Sequence, residues 1–409
     1  MSPRLPSIVI AYKEARGHAI VLASLAWLGV AAFGLIGDGD RSVFGPLRWT
    51  DFVHFYTLGD VARLGDPGTL FDSRALYARQ VSLVPASQGD GFVAVYGPQT
   101  ALLFAPFTLA GYRAAGFLWM LVTLAIYGWC MWVAWSPLRG VLPDRLFLVA
   151  GAMAFPPVWE IALYGQTTAI VLLAFGAALW ALARGRPILA GAALSLLSIK
   201  PQWALVLTVV CVCAGEWALI AGAVVGLAAQ GAAATAVFGA SVWTAYAAAV
   251  GSLPRVAGLL EPDASKMHSL RAITGLLPDR LDWTVWAIAA AAVTMLVVWI
   301  WRDSALSLRL RFGVLILASA LVNPHLTVYD AAVLAPAALL IGGELMTSAR
   351  DAAWFWQRCY WISLALLFPI AKVLKVQATP ILLVELLFRT VRTLRGTTVR
   401  EQARASLRP

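Results

Sequence analysis

Apolar residues run along this chain in long blocks rather than in strict alternation, and the blocks are separated by short polar gaps. About 18 or more consecutive apolar residues are needed for one helix to cross the roughly 30 Å hydrocarbon core of a bilayer. Residues 18–36 meet that length and follow Arg4, Lys13 and Arg16. They exceed a signal-peptide core and lack a convincing cleavage site, so they are expected to remain as the first anchor. The longest polar stretch, 38–96, holds Asp51, Asp60, Asp66, Asp72 and Asp90 and predicts a first external loop. Within it, 50–64 and 73–84 mix aromatics and charges at helical spacing, as short helices lying on a membrane surface do. Residues 100–110 contain Pro106 and are too short to span, which predicts an interfacial or re-entrant helix.

Further spans are predicted at 114–135, 146–163, 167–183, 188–198, 203–214 and 217–238. A second external loop is expected over 239–282, followed by spans at 283–301, 312–322, 331–345, 354–370 and 379–389 and a basic cytoplasmic tail at 390–409. The expected fold is all-α and polytopic, a single integral membrane domain over 1–409 with about 12 transmembrane helices and both termini inside.

Composition agrees with lipid as the main solvent. Of 409 residues 61% are hydrophobic and only 13% charged, against roughly 25% charged in soluble domains. The net charge of +10 comes from arginines placed at helix ends. Arg389, Arg392, Arg395, Arg400, Arg404 and Arg408 follow the last apolar block, and Arg139, Arg145, Arg184, Arg186, Arg302, Arg309 and Arg311 fill short gaps. Such placement is the positive-inside bias, with contact to anionic membrane lipids as a secondary role and no nucleic-acid partner. Cys130, Cys211, Cys213 and Cys359 all lie in apolar stretches, with neither a disulfide framework nor zinc spacing.

With both termini inside, the polar candidates gather at one face. His54, His268, His325, Lys200, Asp51 and Arg271 all fall near the outer side, and only His18 of the four histidines is inside. Asp51 opens Asp51-Phe52-Val53-His54-Phe55-Tyr56. Desolvation by such aromatics raises a carboxyl pKa toward the range of a general base. The plainer alternative is a helix N-cap. Lys200, in Lys200-Pro201-Gln202 between two apolar stretches, is costly unless it is paired or reaches water. The competing reading is a snorkelling, topogenic lysine. Asn323-Pro324-His325 with Tyr329-Asp330, and His268-Ser269 with Arg271, form two more outer constellations. Converging cations and donors suit an anionic phosphate, although each residue alone is more commonly a satisfied loop or cap. Gln166 and Glu160 are weaker polar candidates for the same cavity. No Gly-rich phosphate loop, HExxH or supported GxSxG occurs, and no segment is long or polar enough to form a soluble nucleotide-sugar domain. The substrate is therefore expected to arrive through the membrane.

These residues in this order resemble glycosyltransferase family 87 of the C-type superfamily, over about residues 18 to 345. The likeness rests on the aspartate-aromatic segment Asp51 to Tyr56 and on Tyr96-Gly97-Pro98-Gln99 leading to Pro106. It continues through Gly165-Gln166, Lys200-Pro201 after an Ala-Gly-rich helix, and Pro324-His325 with Tyr329-Asp330. Relatives often carry two prolines after the tyrosine, where Gly97-Pro98 stands here. They also carry an asparagine two positions beyond the Gly-Gln, where this chain has Thr168, and an Asn-Gln-Ser-like segment where it has Met267-His268-Ser269. The resemblance implies inverting transfer of a sugar, often mannose, from a polyprenyl-phosphate donor to a glycolipid or envelope glycan, on the extracytoplasmic face of a bacterial inner membrane. It implies no metal and no cofactor. By it, Asp51 is the general base, and Lys200, His325, His268 and Arg271 hold the donor phosphate. His54, Tyr56, Tyr96, Gln99, Gln166, Gln202 and Tyr329 line the substrate cavity. A secondary transporter or flippase for a lipid-linked sugar is the alternative, and a non-catalytic scaffold a third reading.

Overall fold

The structure is a computed structural model that describes residues 5–260, 266–347, 352–367 and 376–405. Residues 368–370 of the expected 354–370 span, 261–265 of the expected second loop, and Arg408 in the tail lie outside the described residues. The protein is 79% helical, with no strand among the described residues.

In chain order the helices are α1 (Leu5–Leu35), α2 (Phe52–Leu64), α3 (Pro67–Leu70), α4 (Ser73–Leu83), α5 (Pro98–Phe104) and α6 (Tyr112–Trp135). Then come α7 (Arg145–Ala154), α8 (Pro156–Tyr164), α9 (Thr168–Leu182), α10 (Pro187–Leu194), α11 (Ala204–Ala214) and α12 (Trp217–Phe238). The last are α13 (Ser241–Leu260), α14 (Arg271–Thr274), α15 (Asp279–Arg302), α16 (Leu308–Val322), α17 (Leu334–Thr347), α18 (Ala353–Leu367) and α19 (Thr379–Ala405).

Local sequence explains where these helices start and stop. Proline occupies the first turn of α3, α5, α8 and α10, where its missing N–H would be unpaired in any case. Asp66, Asp72, Asp144 and Ser307 cap α3, α4, α7 and α16 through their side chains. Gly65, Gly165 and Gly215 close α2, α8 and α11 in the left-handed conformation.

This is a membrane protein. Among the described residues five helices are long and apolar enough to cross a bilayer: Glu14–Leu35, Tyr112–Leu138, Trp217–Phe238, Arg280–Arg302 and Tyr329–Thr347. The pair α7 and α8, bent by 56°, makes a sixth if taken as one span. The expected count of about 12 crossings is not confirmed. The apolar blocks between them break into short pieces: Thr168–Leu182, Pro187–Ile199 and Pro201–Ala214 are each under 18 residues. At 1.5 Å per residue none reaches the roughly 30 Å of hydrocarbon unaided.

Two further expectations change. Within the expected external loop 239–282, Ser241–Leu260 forms the 20-residue helix α13. Helix α2 forms close to its predicted place but does not lie on a surface. Its residues from Phe52 to Ala62 are buried on every side, in an aromatic core with Phe104, Tyr112 and Trp119. Gly59 permits this, since a Cβ there would meet the Phe104 carbonyl at 2.5 Å. A second, larger core runs through α6, α9, α10, α11, α15, α16 and α17, and the candidate site lies where the two cores abut.

Candidate active site at the junction of two cores

Asp51 sits at the head of α2, yet it does not cap it. Its backbone is helical and its side chain makes no capping hydrogen bond. The carboxylate instead accepts from Gln166 Nε2, whose nitrogen lies 2.6 Å from Asp51 Oδ2. The N-cap alternative is thereby excluded. Asp51 keeps partial exposure, so its other oxygen has a route to a ligand. Burial pushes the carboxyl above its ordinary value, against the Gln166 hydrogen bond and the Lys200 charge, which both pull it down.

The backbone delivering Asp51 is strained. Trp49, two residues earlier, is the only non-glycine with positive φ among the described residues, at 51°, a conformation that persists only where its surroundings enforce it. The Tyr112 hydroxyl donates to the carbonyls of both Arg48 and Trp49. The indole of Trp49 lies against Gly116, where a Cβ would come within 2.5 Å of the ring. Gly165 is needed twice over. Its φ of 71° ends α8, and a Cβ there would strike Phe52 Cβ at 2.6 Å. Its carbonyl accepts from Trp119 Nε1 at 3.0 Å. The Asp51 N–H donates to the Tyr164 carbonyl at 3.1 Å. The Gly-Gln pair thus ends one helix hard against the Asp51 segment and hands Gln166 to the carboxylate.

From Gln166 the network continues. Its Nε2 lies 3.4 Å from Tyr329 Oη, and its Oε1 accepts from the Thr167 N–H at 3.2 Å. The Lys200 ammonium stands 5.1 Å from the centre of the Tyr329 ring. It pairs with Asp330: Nζ lies 2.6 Å from Oδ1, with both side chains buried. Thr168 donates to the same Asp330 oxygen and accepts from Lys200 at 3.2 Å. Lys200 reaches this depth because the chain breaks there, between two 3₁₀ turns, Ser195–Ile199 and Pro201–Trp203.

Ten of the twelve predicted residues fall into four groups. Asp51, Gln166, Tyr329 and Lys200 form one connected network, and Tyr96 borders it. Burial and then the Asp330 and Asp51 carboxylates raise the Tyr96 phenol above its ordinary value. His54 is buried beside Tyr96 on α2, with ring centroids 5.7 Å apart. Gln99 braces the Lys200 segment from behind, donating to Ser198 Oγ at 3.2 Å, which donates on to Gln230 at 2.9 Å.

His268, Arg271 and His325 form the fourth group. The His268 N–H donates to the Leu326 carbonyl at 2.8 Å, and that of Leu270 to the Leu321 carbonyl at 3.0 Å. The two segments therefore lie side by side, but their side chains are engaged. Arg271 pairs with Asp282 and stacks on Trp283 at 3.8 Å. His268 Nδ1 lies 3.1 Å from Thr379 Oγ1, and burial lowers its pKa to about 4. His325 remains partly exposed, its N–H donating to Asn323 Oδ1 at 2.8 Å. Tyr56 is a brace, its hydroxyl donating to the Ala110 carbonyl at 2.9 Å. Gln202 is half-buried and makes no bond to the network.

Sequence reasoning gave Asp330 and Thr168 no role, although Tyr329-Asp330 stood out as a motif. The signal was present, because a lysine deep in an apolar stretch calls for a counter-ion. Asp330 and Glu344 are the only acids between residues 312 and 345. Among the described residues no group of three or more His, Cys, Asp or Glu is arranged to hold a metal ion.

Residues 94–324 match the family described as glycosyltransferase family 87. No curated protein and no solved structure matches the chain. The matched span contains Gln166, Lys200, His268 and Arg271, and leaves Asp51, His325 and Tyr329 outside it.

Proposed function

Because the chain belongs to glycosyltransferase family 87, we propose that it transfers a hexose, mannose first among candidates, from a polyprenyl-phosphate donor to a glycolipid or envelope glycan. Transfer takes place with inversion on the extracytoplasmic face of a bacterial inner membrane, with both termini in the cytoplasm. The observation that carries this reading is the Asp51 carboxylate. It is desolvated, partly exposed and held through one oxygen by Gln166 rather than spent on capping its own helix.

Inverting transfer needs one base and one leaving group on opposite faces of the sugar. Asp51 takes the proton of the acceptor hydroxyl on its free oxygen as that hydroxyl attacks the anomeric carbon. The bond from that carbon to the phosphate oxygen breaks, and polyprenyl phosphate departs with the electron pair. A base tuned toward working pH contributes about 10² to 10⁴ in rate. Charge growing on the phosphate is assigned to Lys200 and His325, with His268 and Arg271 on the neighbouring segment. Preorganised charge of this kind acts most strongly where water is excluded. Lys200 enters as a neutral pair with Asp330, which allows a buried cation to be held in place before any donor arrives.

The test is transfer of radiolabel from polyprenyl-phosphate-mannose into a lipid extract by purified protein, wild type beside Asp51→Asn. Loss of transfer by about 10² or more in a folded Asp51→Asn variant is expected. Equal transfer by both proteins removes Asp51 from the mechanism. If wild type is inactive with mannose, a panel of polyprenyl-phosphate sugars follows, and inactivity with all of them rejects the donor class.

A further inference from the structure

His54 is a buried polar side chain near the network that the proposed chemistry leaves unused. It lies on α2 three residues after Asp51, so the two side chains share a helix face. The ring is 2% exposed, and neither Nδ1 nor Nε2 has a hydrogen-bond partner. Buried polar side chains are nearly always satisfied, and an exception calls for a specific explanation. Burial also lowers the imidazole pKa to about 4, so the ring is neutral and presents one N–H donor and one bare nitrogen acceptor.

Its surroundings are aromatic. Phe92 stacks on it at 5.2 Å and 30°, Tyr96 stands 5.7 Å away, and Phe55 closes the third side at 5.6 Å. Tyr96 also feels the Asp51 and Asp330 carboxylates. The roof over His54 is the chain from Gly91 to Tyr96. It is pinned at its start, where Gln80 donates to the Asp90 carbonyl at 2.6 Å and the Gly89 N–H donates to Tyr77 at 2.9 Å. Residues 91–96 themselves make no backbone hydrogen bond, which marks a segment of low local stability.

A neutral donor–acceptor pair between aromatic faces, one helical turn from a base, matches the chemistry of a sugar ring. Hydroxyls both give and accept hydrogen bonds, and the C–H faces pack on aromatics. A phosphate would want cations or several donors instead. We infer that His54, with Phe92 and Tyr96, forms the subsite for the sugar of the acceptor, which enters when residues 91–96 lift and engages both ring nitrogens of His54. The word acceptor rests on the transferase reading. The sugar site does not.

The experiment uses the full chain, ¹⁵N-labelled at its four histidines, in phospholipid nanodiscs so that no glycoside detergent is present. Octyl α-mannopyranoside and octyl β-glucopyranoside are the probes, and the His54→Phe spectrum identifies the His54 signals. Saturable shifts of both His54 ring nitrogens are expected with at least one probe. His54→Phe, which keeps the stacking and removes both nitrogens, should weaken binding of that probe by about tenfold, monitored by tryptophan fluorescence. That is the lower end of the effect of losing two neutral hydrogen bonds. His54→Gln, which keeps a donor and an acceptor, should recover part of the loss. Absence of a saturable shift with both probes overturns the subsite, whether or not the protein transfers sugar. Equal affinity of wild type and folded His54→Phe also overturns it. Shifts in a protein inactive with every polyprenyl-phosphate sugar leave the sugar site standing and remove the polyprenyl-phosphate donor reading.

Discussion

Lys200 and Asp330, 130 residues apart in sequence, meet as a buried ion pair with Nζ 2.6 Å from Oδ1. The pair joins the broken helix at Lys200-Pro201 to the turn that opens the Tyr329–Thr347 span, and Thr168 at the head of α9 completes it. Removing one partner strands a buried charge, at a cost of about 3–5 kcal/mol, whereas removing both with apolar replacements is frequently neutral. Asp330→Asn is therefore expected to unfold at a markedly lower temperature than wild type, with Lys200→Met/Asp330→Leu recovering most of the difference. Thermal unfolding followed by tryptophan fluorescence in nanodiscs reads this out. Equal losses in the single and double variants would reject the pairing.

Gln166 favours the ionised form of Asp51 by donating to it. Deleting that bond must raise the Asp51 pKa further, and the proposed role of Asp51 as base makes this visible in the rate. A base works only when deprotonated, so the rate falls as pH drops through its pKa. In Gln166→Leu the acidic limb of the kcat/KM profile should move to higher pH, and the plateau should fall by roughly tenfold to a hundredfold from misplacement of the carboxylate. A lower plateau with an unmoved limb would place Gln166 on the substrate instead of on Asp51.

Tyr112 fixes the left-handed turn at Trp49 through two hydrogen bonds to backbone carbonyls. Tyr112→Phe keeps the ring packing and frees that turn to relax. The expected result is a fall in kcat of about tenfold with donor KM unchanged, because the strained turn sets where Asp51 stands. Gly116→Ala attacks the same feature from the opposite side, pressing a methyl into the Trp49 ring, and should be at least as damaging. Steady-state kinetics on both variants decides it, and wild-type kcat in each would remove the turn from the mechanism.

His54 and His268 are both buried with pKa values lowered to about 4, below the unfolded value near 6.5. The unfolded chain binds more protons than the folded one across that window, so stability rises with pH there. Acidifying from pH 6.5 toward 4 should cost on the order of 3 kcal/mol per histidine. His54→Phe and His268→Asn should each flatten the dependence of unfolding temperature on pH between 4 and 6.5. An unchanged slope in both would show that these rings are solvated.

Much of this was legible one residue at a time. The apolar blocks fixed a helical membrane protein because each helix satisfies its own backbone hydrogen bonds, a property of local sequence. Starts and stops followed from proline, aspartate and glycine at the helix ends. Asp51, Gln166, Lys200 and Tyr329 were visible as polar residues set at breaks in apolar pattern.

The count of crossings was not visible in this way. Thr168–Leu182 is apolar because most of it is buried in protein, and composition cannot separate that from burial in lipid. The same ambiguity hid the burial of α2, whose aromatics face a protein core and not a membrane surface. Partnership was equally out of reach. That Lys200 neutralises Asp330, that Gln166 turns to Asp51, and that Arg271 is tied to Asp282 depend on which distant segments the packing brings within about 3 Å. Hydrogen bonds and ion pairs act only at such range. Sequence thus determined the solvent of this protein, most of its helices and the polar residues available for chemistry, because each of these is local. The tertiary structure alone decided which of those residues meet, because contact over such separations is a property of the packed chain.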